Sequence, residues 1–242
     1  MLARFTRGER WVHWSLAVLM TVLLVTAAVL YLAPLEQLIG RRRLVAQIHV
    51  YTGYLLPVPV LAGWARSAAL RLDIRRLNRF TLLDWAWLRS RQRRSGAIAV
   101  GKFNAGQKLN AAFTLGAIAV MLGTGLIMHF TRLWPLAWRT GATFVHDWLA
   151  MAILVTVTGH LWFAAKDPQA RAGMRTGQVP LGWARREHRL WAIEEEARTP
   201  AATGAARPPD RDSDAAEPAD GPAPGPSTAA DGSPLRRPGW RR

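Results

Sequence analysis

The chain has no cysteine. This excludes a disulfide framework, thiolate metal sites and iron–sulfur ligation by the chain itself, and leaves His, Met and carboxylates for any metal chemistry. Acidic residues are scarce: 16 Asp and Glu stand against 32 Lys and Arg, a formal net charge of +16. Such a surplus would suit nucleic acid. The arginines, however, cluster beside long apolar runs, where a lipid bilayer accounts for them, and no nucleic-acid partner is expected. The third scarcity is local. Residues 11–33, 45–65, 109–130 and 143–165 contain no Lys, Arg or Glu, and Asp147 lies at the edge of the last. At ~1.5 Å per residue, each stretch is long enough to cross a ~30 Å hydrocarbon core. The first is too long for the apolar region of a cleavable signal peptide and shows no small-residue cleavage site.

These stretches predict an all-α membrane protein, a four-transmembrane-helix bundle occupying residues 1–196. Lys and Arg number 21 in the N-terminus, the loop between the second and third spans and the segment after the fourth, up to Arg198; the two other loops hold 5. The positive-inside rule then places both termini in the cytoplasm and the chain in the cell membrane, against the local counter-signal of Arg41–Arg43. Trp11, Trp14, Trp64, Trp134, Trp138, Trp148 and Trp162 lie near span ends, where indoles anchor at the lipid interface. Pro57 and Pro59 interrupt the second span. Residues 197–242 turn to Pro, Ala, Gly, Asp and Ser with almost no large apolar side chain, the composition of a disordered tail that builds no core.

Within these runs the histidines stand out. His146 and His160 share the stretch VHDWLAMAILVTVTGHLWFA, fourteen residues apart. Fourteen residues make ~3.9 helical turns, so both imidazoles fall on nearly one face, ~21 Å apart along the axis. His49 matches His146 in depth and His13 matches His160. Two pairs at two depths suit two stacked haems, each with two axial imidazoles. Histidines within a membrane are costly, which favours a functional role. His129 shares the outer depth, but its place at the end of its span before FTRLWP favours the headgroup level. His188 falls in the polar segment after the fourth span. Gly53, Gly116, Gly123, Gly125 and Gly159 leave room for a porphyrin and equally suit helix packing.

The four spans, the histidine placement, VGKFNAGQKLNAAF at 100–113 and GMRTGQVPLGWARREH at 173–188 resemble the cytochrome b (gamma) subunit of membrane-bound formate dehydrogenases. More widely they resemble the cytochrome b561-like subunits of hydrogenases and other respiratory oxidoreductases. The resemblance covers residues 4–196. It implies a dihaem cytochrome b that carries electrons from iron–sulfur and catalytic (molybdopterin or similar) partner subunits to a quinone, menaquinone or ubiquinone. The chain would then be an electron-transfer subunit and not the dehydrogenase catalytic subunit. His49 and His146 would hold the outer haem b, His13 and His160 the inner one. The quinone pocket beside the inner haem would use Asn104, Gly106 and Gln107, with Lys108 as neighbour. A quinone near the cytoplasm needs a polar partner for its oxygen, close backbone approach and a route for protons, and Asn104 equally suits the N-cap of the third span. The double proline and the extra tail depart from the formate dehydrogenase pattern. They leave open a cytochrome b serving a hydrogenase or another molybdopterin oxidoreductase, and a haem-free membrane anchor is a separate alternative.

Overall fold

Two residues at the start of the chain, β1 (Leu2–Ala3), form an extended segment that leads into the first long helix in the computed structural model, which describes residues 1–91 and 97–198. Thr6 opens α1 (Arg7–Tyr31): its hydroxyl accepts from the Glu9 amide, and the Glu9 carboxylate accepts from the Thr6 amide at 2.6 Å, a capping box that satisfies donors at the helix start. A short α2 (Ala33–Ile39) follows, then α3 (Arg42–Leu55) and α4 (Val58–Arg66). These last two form one span broken at the predicted prolines. Pro57 has no N–H to donate, and Leu56 instead donates to Gly53 O, three residues back, at 3.3 Å.

The arginine-rich connection carries α5 (Ala68–Leu77) and α6 (Leu82–Arg89). The long helices α7 (Ala105–His129) and α8 (Leu136–Lys166) complete the bundle. Spans of 25, 25, 25 and 31 residues are long and apolar enough to cross a membrane. The third and fourth start earlier than the expected 109 and 143, because helix continues through polar residues such as Lys108 and Arg139 at the interface. After α8 come α9 (Pro168–Thr176), β2 (Gln178–Val179), α10 (Leu181–Glu187) and α11 (Arg189–Arg198).

One short strand pairing adds to the helical bundle. β1 pairs antiparallel with β2, Leu2 opposite Val179, which ties the N-terminus to the segment after the fourth span. The reason is apolar: Val179, Trp183, Ala184, Trp191 and Ala192 form a buried cluster, and Leu2 packs against it. Gly177 makes the turn into β2 at φ +86°, and a Cβ there would strike Phe5 O, so both backbone and space require glycine. At Gly63 a Cβ would run into Val12 and Leu70, which shows how closely α4 lies on α1. Residues 199–242, expected as a disordered tail, lie outside the described residues, and α11 runs to Arg198, past the expected boundary at 196.

α1 packs on α3 and α4, and α7 on α8. At mid-depth, Met20, Phe113, Ala117, Ile153 and Val157 close around a void of about 20 Å³. Large apolar side chains such as Val18, Leu61, Val155 and Leu161 face outward, where lipid covers them.

Candidate functional site

The four histidines named from the sequence come together as two pairs. His49 of α3 faces His146 of α8, ring centres 6.3 Å apart; His13 of α1 faces His160 of α8 at 6.2 Å. One pair lies toward the α3 start and the other toward the end that carries β1 and β2. The apolar layer around Ile153, midway between His146 and His160, separates them. His129 belongs to neither pair. It ends α7 with its ring edge-on to Tyr54 at 6.0 Å and to Phe130 at 5.0 Å. Of the glycines, Gly116, Gly123 and Gly159 adjoin open space, and Gly125 lies against His146.

Two threonines that sequence reading did not single out touch the first pair. Thr26 Oγ1 lies 2.9 Å from His49 Nδ1, and Thr124 Oγ1 lies 2.9 Å from His146 Nδ1. The sequence holds no signal for them by itself, because threonine recurs in every span.

Asn104 is the N-cap of α7. Its side chain accepts from the Gln107 amide at 2.9 Å, and the Gln107 side chain accepts from the Asn104 amide at 3.0 Å. Gly106 lies beneath the Trp87 ring, where a Cβ would sit 3.4 Å from the indole. Next to this cap a cleft of about 200 Å³ is lined by residues that include Thr81, Asp84, Trp87, Gly101, Ala105 and Lys108. Asn104, Gly106 and Gln107 themselves are not in its lining. Lys108 donates to Asp84 at 2.7 Å and to Arg79 O at 2.8 Å. Burial pushes the Asp84 carboxyl up, but its bonds to Lys108 and Thr81 outweigh this and hold it below the ordinary carboxylate value.

At this same end a polar cluster is buried. Lys102 reaches Asp73 at 2.5 Å and Glu9 at 3.4 Å, each side chain less than a tenth exposed. Burial and the adjoining Glu9 push the Asp73 carboxyl up to about 7 against the opposing pull of Lys102. Arg4 donates to Lys102 O at 3.0 Å and contacts His188 Nε2 at 2.9 Å, while His188 Nδ1 lies 2.8 Å from Gly101 O. Only one tautomer serves both contacts: Nδ1–H donates to the carbonyl, and Nε2 accepts from the guanidinium. His188 was expected in a polar segment. It is 2 % exposed, with Trp183 tilted against its ring at 5.1 Å and Trp191 edge-on at 6.5 Å. Burial, then the Arg4 charge, lower its pKa to about 3, and burial lowers that of Arg4 to about 10.

A four-helix membrane bundle that pairs imidazoles between its helices has the architecture of a haem-carrying membrane protein. Residues 4–173 match the prokaryotic cytochrome b561 family, and the chain belongs to that family. Membership makes it a haem b-binding protein of membrane electron transport. Over 100 residues it is 29% identical to the cytochrome b556(Fdn) subunit of nitrate-inducible formate dehydrogenase from Escherichia coli (strain K12), a match covering 40% of this chain and 46% of that protein. The chain thus spans about half the length of this relative. Over 197 residues it is 25% identical to the cytochrome b556 subunit of formate dehydrogenase from Haemophilus influenzae, covering 76% of this chain and 79% of the relative.

Proposed function

We propose that the chain is a dihaem cytochrome b subunit that carries electrons from a formate dehydrogenase-like partner, through its iron–sulfur subunit, across the cell membrane to a quinone. The observation that carries this reading is the pairing of four histidines at two depths with equal ring separations. Two imidazoles that shared one metal ion, each bonded through nitrogen at about 2.0 Å, would have ring centres roughly 6 Å apart. The separations of 6.2 and 6.3 Å fit that requirement at both levels. His49 with His146 would hold the outer haem b, and His13 with His160 the inner one.

A haem at each pair supplies one-electron transfer at its depth, so that the two faces of the membrane communicate. The chain's own residues do the rest. Met20, Phe113 and Ile153 line the layer between the pairs. With both termini cytoplasmic, an electron moving inward works against a potential negative inside, and a full crossing stores ~2.3 kcal/mol per 100 mV. Asn104, Gly106 and Gln107 border the quinone pocket, with the Lys108-lined cleft beside it as the polar chamber on the cytoplasmic side. Asn104 caps α7 in the same arrangement, so cap and pocket share a residue. Formate dehydrogenase is favoured over a hydrogenase partner by the names of both relatives.

Redox difference spectra and haem stoichiometry of the purified chain test the reading. Two haems are expected in the native chain. His49→Ala or His146→Ala should remove one, and His13→Ala or His160→Ala the other. A fourfold alanine variant that keeps a b-type absorption band would refute the assignment, and a colourless native protein would leave the membrane-anchor role instead. Co-purification with a molybdopterin subunit active on formate tests the partner.

A further inference from the structure

Threonine in a membrane helix usually silences its hydroxyl by donating to the carbonyl four residues back. Thr21, Thr140, Thr143, Thr156 and Thr158 do this at 2.8–3.0 Å, and among the described residues their hydroxyls make no other hydrogen bond. Thr26 and Thr124 do it as well, donating to Val22 O at 2.7 Å and Val120 O at 2.8 Å. Among the hydroxyl side chains of the described residues, only these two add a contact to a paired histidine. A hydroxyl has one proton. With that proton given to the carbonyl, Thr Oγ1 is left to accept, an arrangement that puts the protons of His49 and His146 on Nδ1. The unprotonated Nε2 of each ring is then left for its partner across the pair.

We propose that Thr26 and Thr124 are positioning residues of the outer site. They fix the Nδ1–H tautomer and the ring orientation of His49 and His146, so that both Nε2 lone pairs are ready before haem arrives; this rests on the reading of the pair as axial ligands. The struts cross between helices, Thr26 from α1 to α3 and Thr124 from α7 to α8, so the ligands are held by neighbours and not only by their own backbones. The inner pair is built differently: among the described residues, neither His13 nor His160 has a hydrogen bond to a ring nitrogen. A hydrogen bond accepted from Nδ1–H raises the basicity of the ligand. The struts therefore favour the oxidised state of the outer site and lower its potential relative to the inner one, which makes inward electron flow downhill.

The test uses the full chain in lipid nanodiscs with Thr26→Val/Thr124→Val and Thr26→Ser/Thr124→Ser. The valine pair should retain the outer haem ~10–100-fold less tightly, the range for lost outer-shell partners. Its outer potential should rise, by ~59 mV for each tenfold of affinity lost selectively by the oxidised form. The serine pair should restore both properties, with the inner potential constant throughout. Unchanged haem retention and potential in the valine pair would overturn the proposal. Nitrogen-15 NMR of the haem-free native chain gives a second readout that needs no folded variant: His49 and His146 should be Nδ1–H tautomers, and an Nε2–H or mixed population would overturn the proposal whatever the haem content. Full wild-type absorption in His49→Ala would instead sink the ligand reading, and the tautomer measurement would still judge the struts.

Discussion

Acidification should loosen α10 and α11 through His188 alone. The imidazole is buried between Trp183 and Trp191, faces the Arg4 guanidinium through Nε2, and is lowered from its ordinary 6.5 to about 3. A group whose folded pKa is depressed in this way stays neutral in the fold while the unfolded chain takes up a proton below 6.5. The stability it contributes is therefore intact above about 6.5 and is lost as pH falls from there toward 3. At ~1.36 kcal/mol per unit, moving from pH 7.5 to pH 5 removes about 2 kcal/mol from the closed state of this segment, or ~30-fold in its opening equilibrium. Global melting is a poor assay, because Asp73, raised to about 7, acts in the opposite sense: the fold gains stability as pH falls from about 7 toward the ordinary carboxylate value. Hydrogen exchange of α10 and α11 amides, corrected for intrinsic rates, isolates the local effect. His188→Asn, which can keep a donor to Gly101 O, should abolish the pH dependence. Equal protection at pH 7.5 and pH 5 in the native chain, or an NMR titration of His188 near 6.5, would refute the reasoning.

Three further outcomes follow from the same end of the molecule. Lys102→Met takes the cation from buried Glu9 and leaves Asp73 only Arg76 at 3.6 Å, so it should cost up to ~3–5 kcal/mol in thermal or denaturant unfolding, with partial recovery when Asp73→Asn is added. Gly177→Ala forces a side chain into the left-handed region and against Phe5 O, so a loss of more than ~1–2 kcal/mol and proteolytic nicking near β2 are expected. Asp84→Ala removes the carboxylate that accepts from the Thr81 amide at the start of α6 and leaves Lys108 with Arg79 O alone; losing the capping partner should cost ~1 kcal/mol and the weakened lysine contact adds to it, read as faster exchange in α6. The native Asp84 contribution should persist above the ordinary carboxylate pKa and fade only as pH falls through its lower folded value.

The bilayer-spanning part of the fold was legible because its signals are local. A charge-free run of twenty residues can do little but cross lipid, Pro57 must break the hydrogen-bond ladder, and a fourteen-residue spacing fixes two imidazoles on one helix face. The pairings drawn from depth, His49 with His146 and His13 with His160, are the ones the structure brings together. The water-facing layer was not legible, because its contacts join distant segments. His188 reads as polar from its neighbours, yet it is buried by an arginine 184 residues away. Leu2–Ala3 is too short to announce a strand until Gln178–Val179 is placed beside it. Thr26 and Thr124 look like any threonine in a span until their ring partners are located. Asn104 suits cap and pocket alike by sequence, and its bonds with Gln107 are those of a cap.

One helix has a consequence for how the protein comes into being. α8 contributes a member to both histidine pairs, so the ribosome releases three spans before either pair exists. If the pairs hold haem as proposed, a nascent chain that stops short of residue 146 would have no place to retain the cofactor, and one that stops between 146 and 160 would have only the first pair. On that proposal, colour in the membrane would report completed synthesis and insertion of the last span, and cofactor capture would double as a checkpoint on the integrity of the newborn chain.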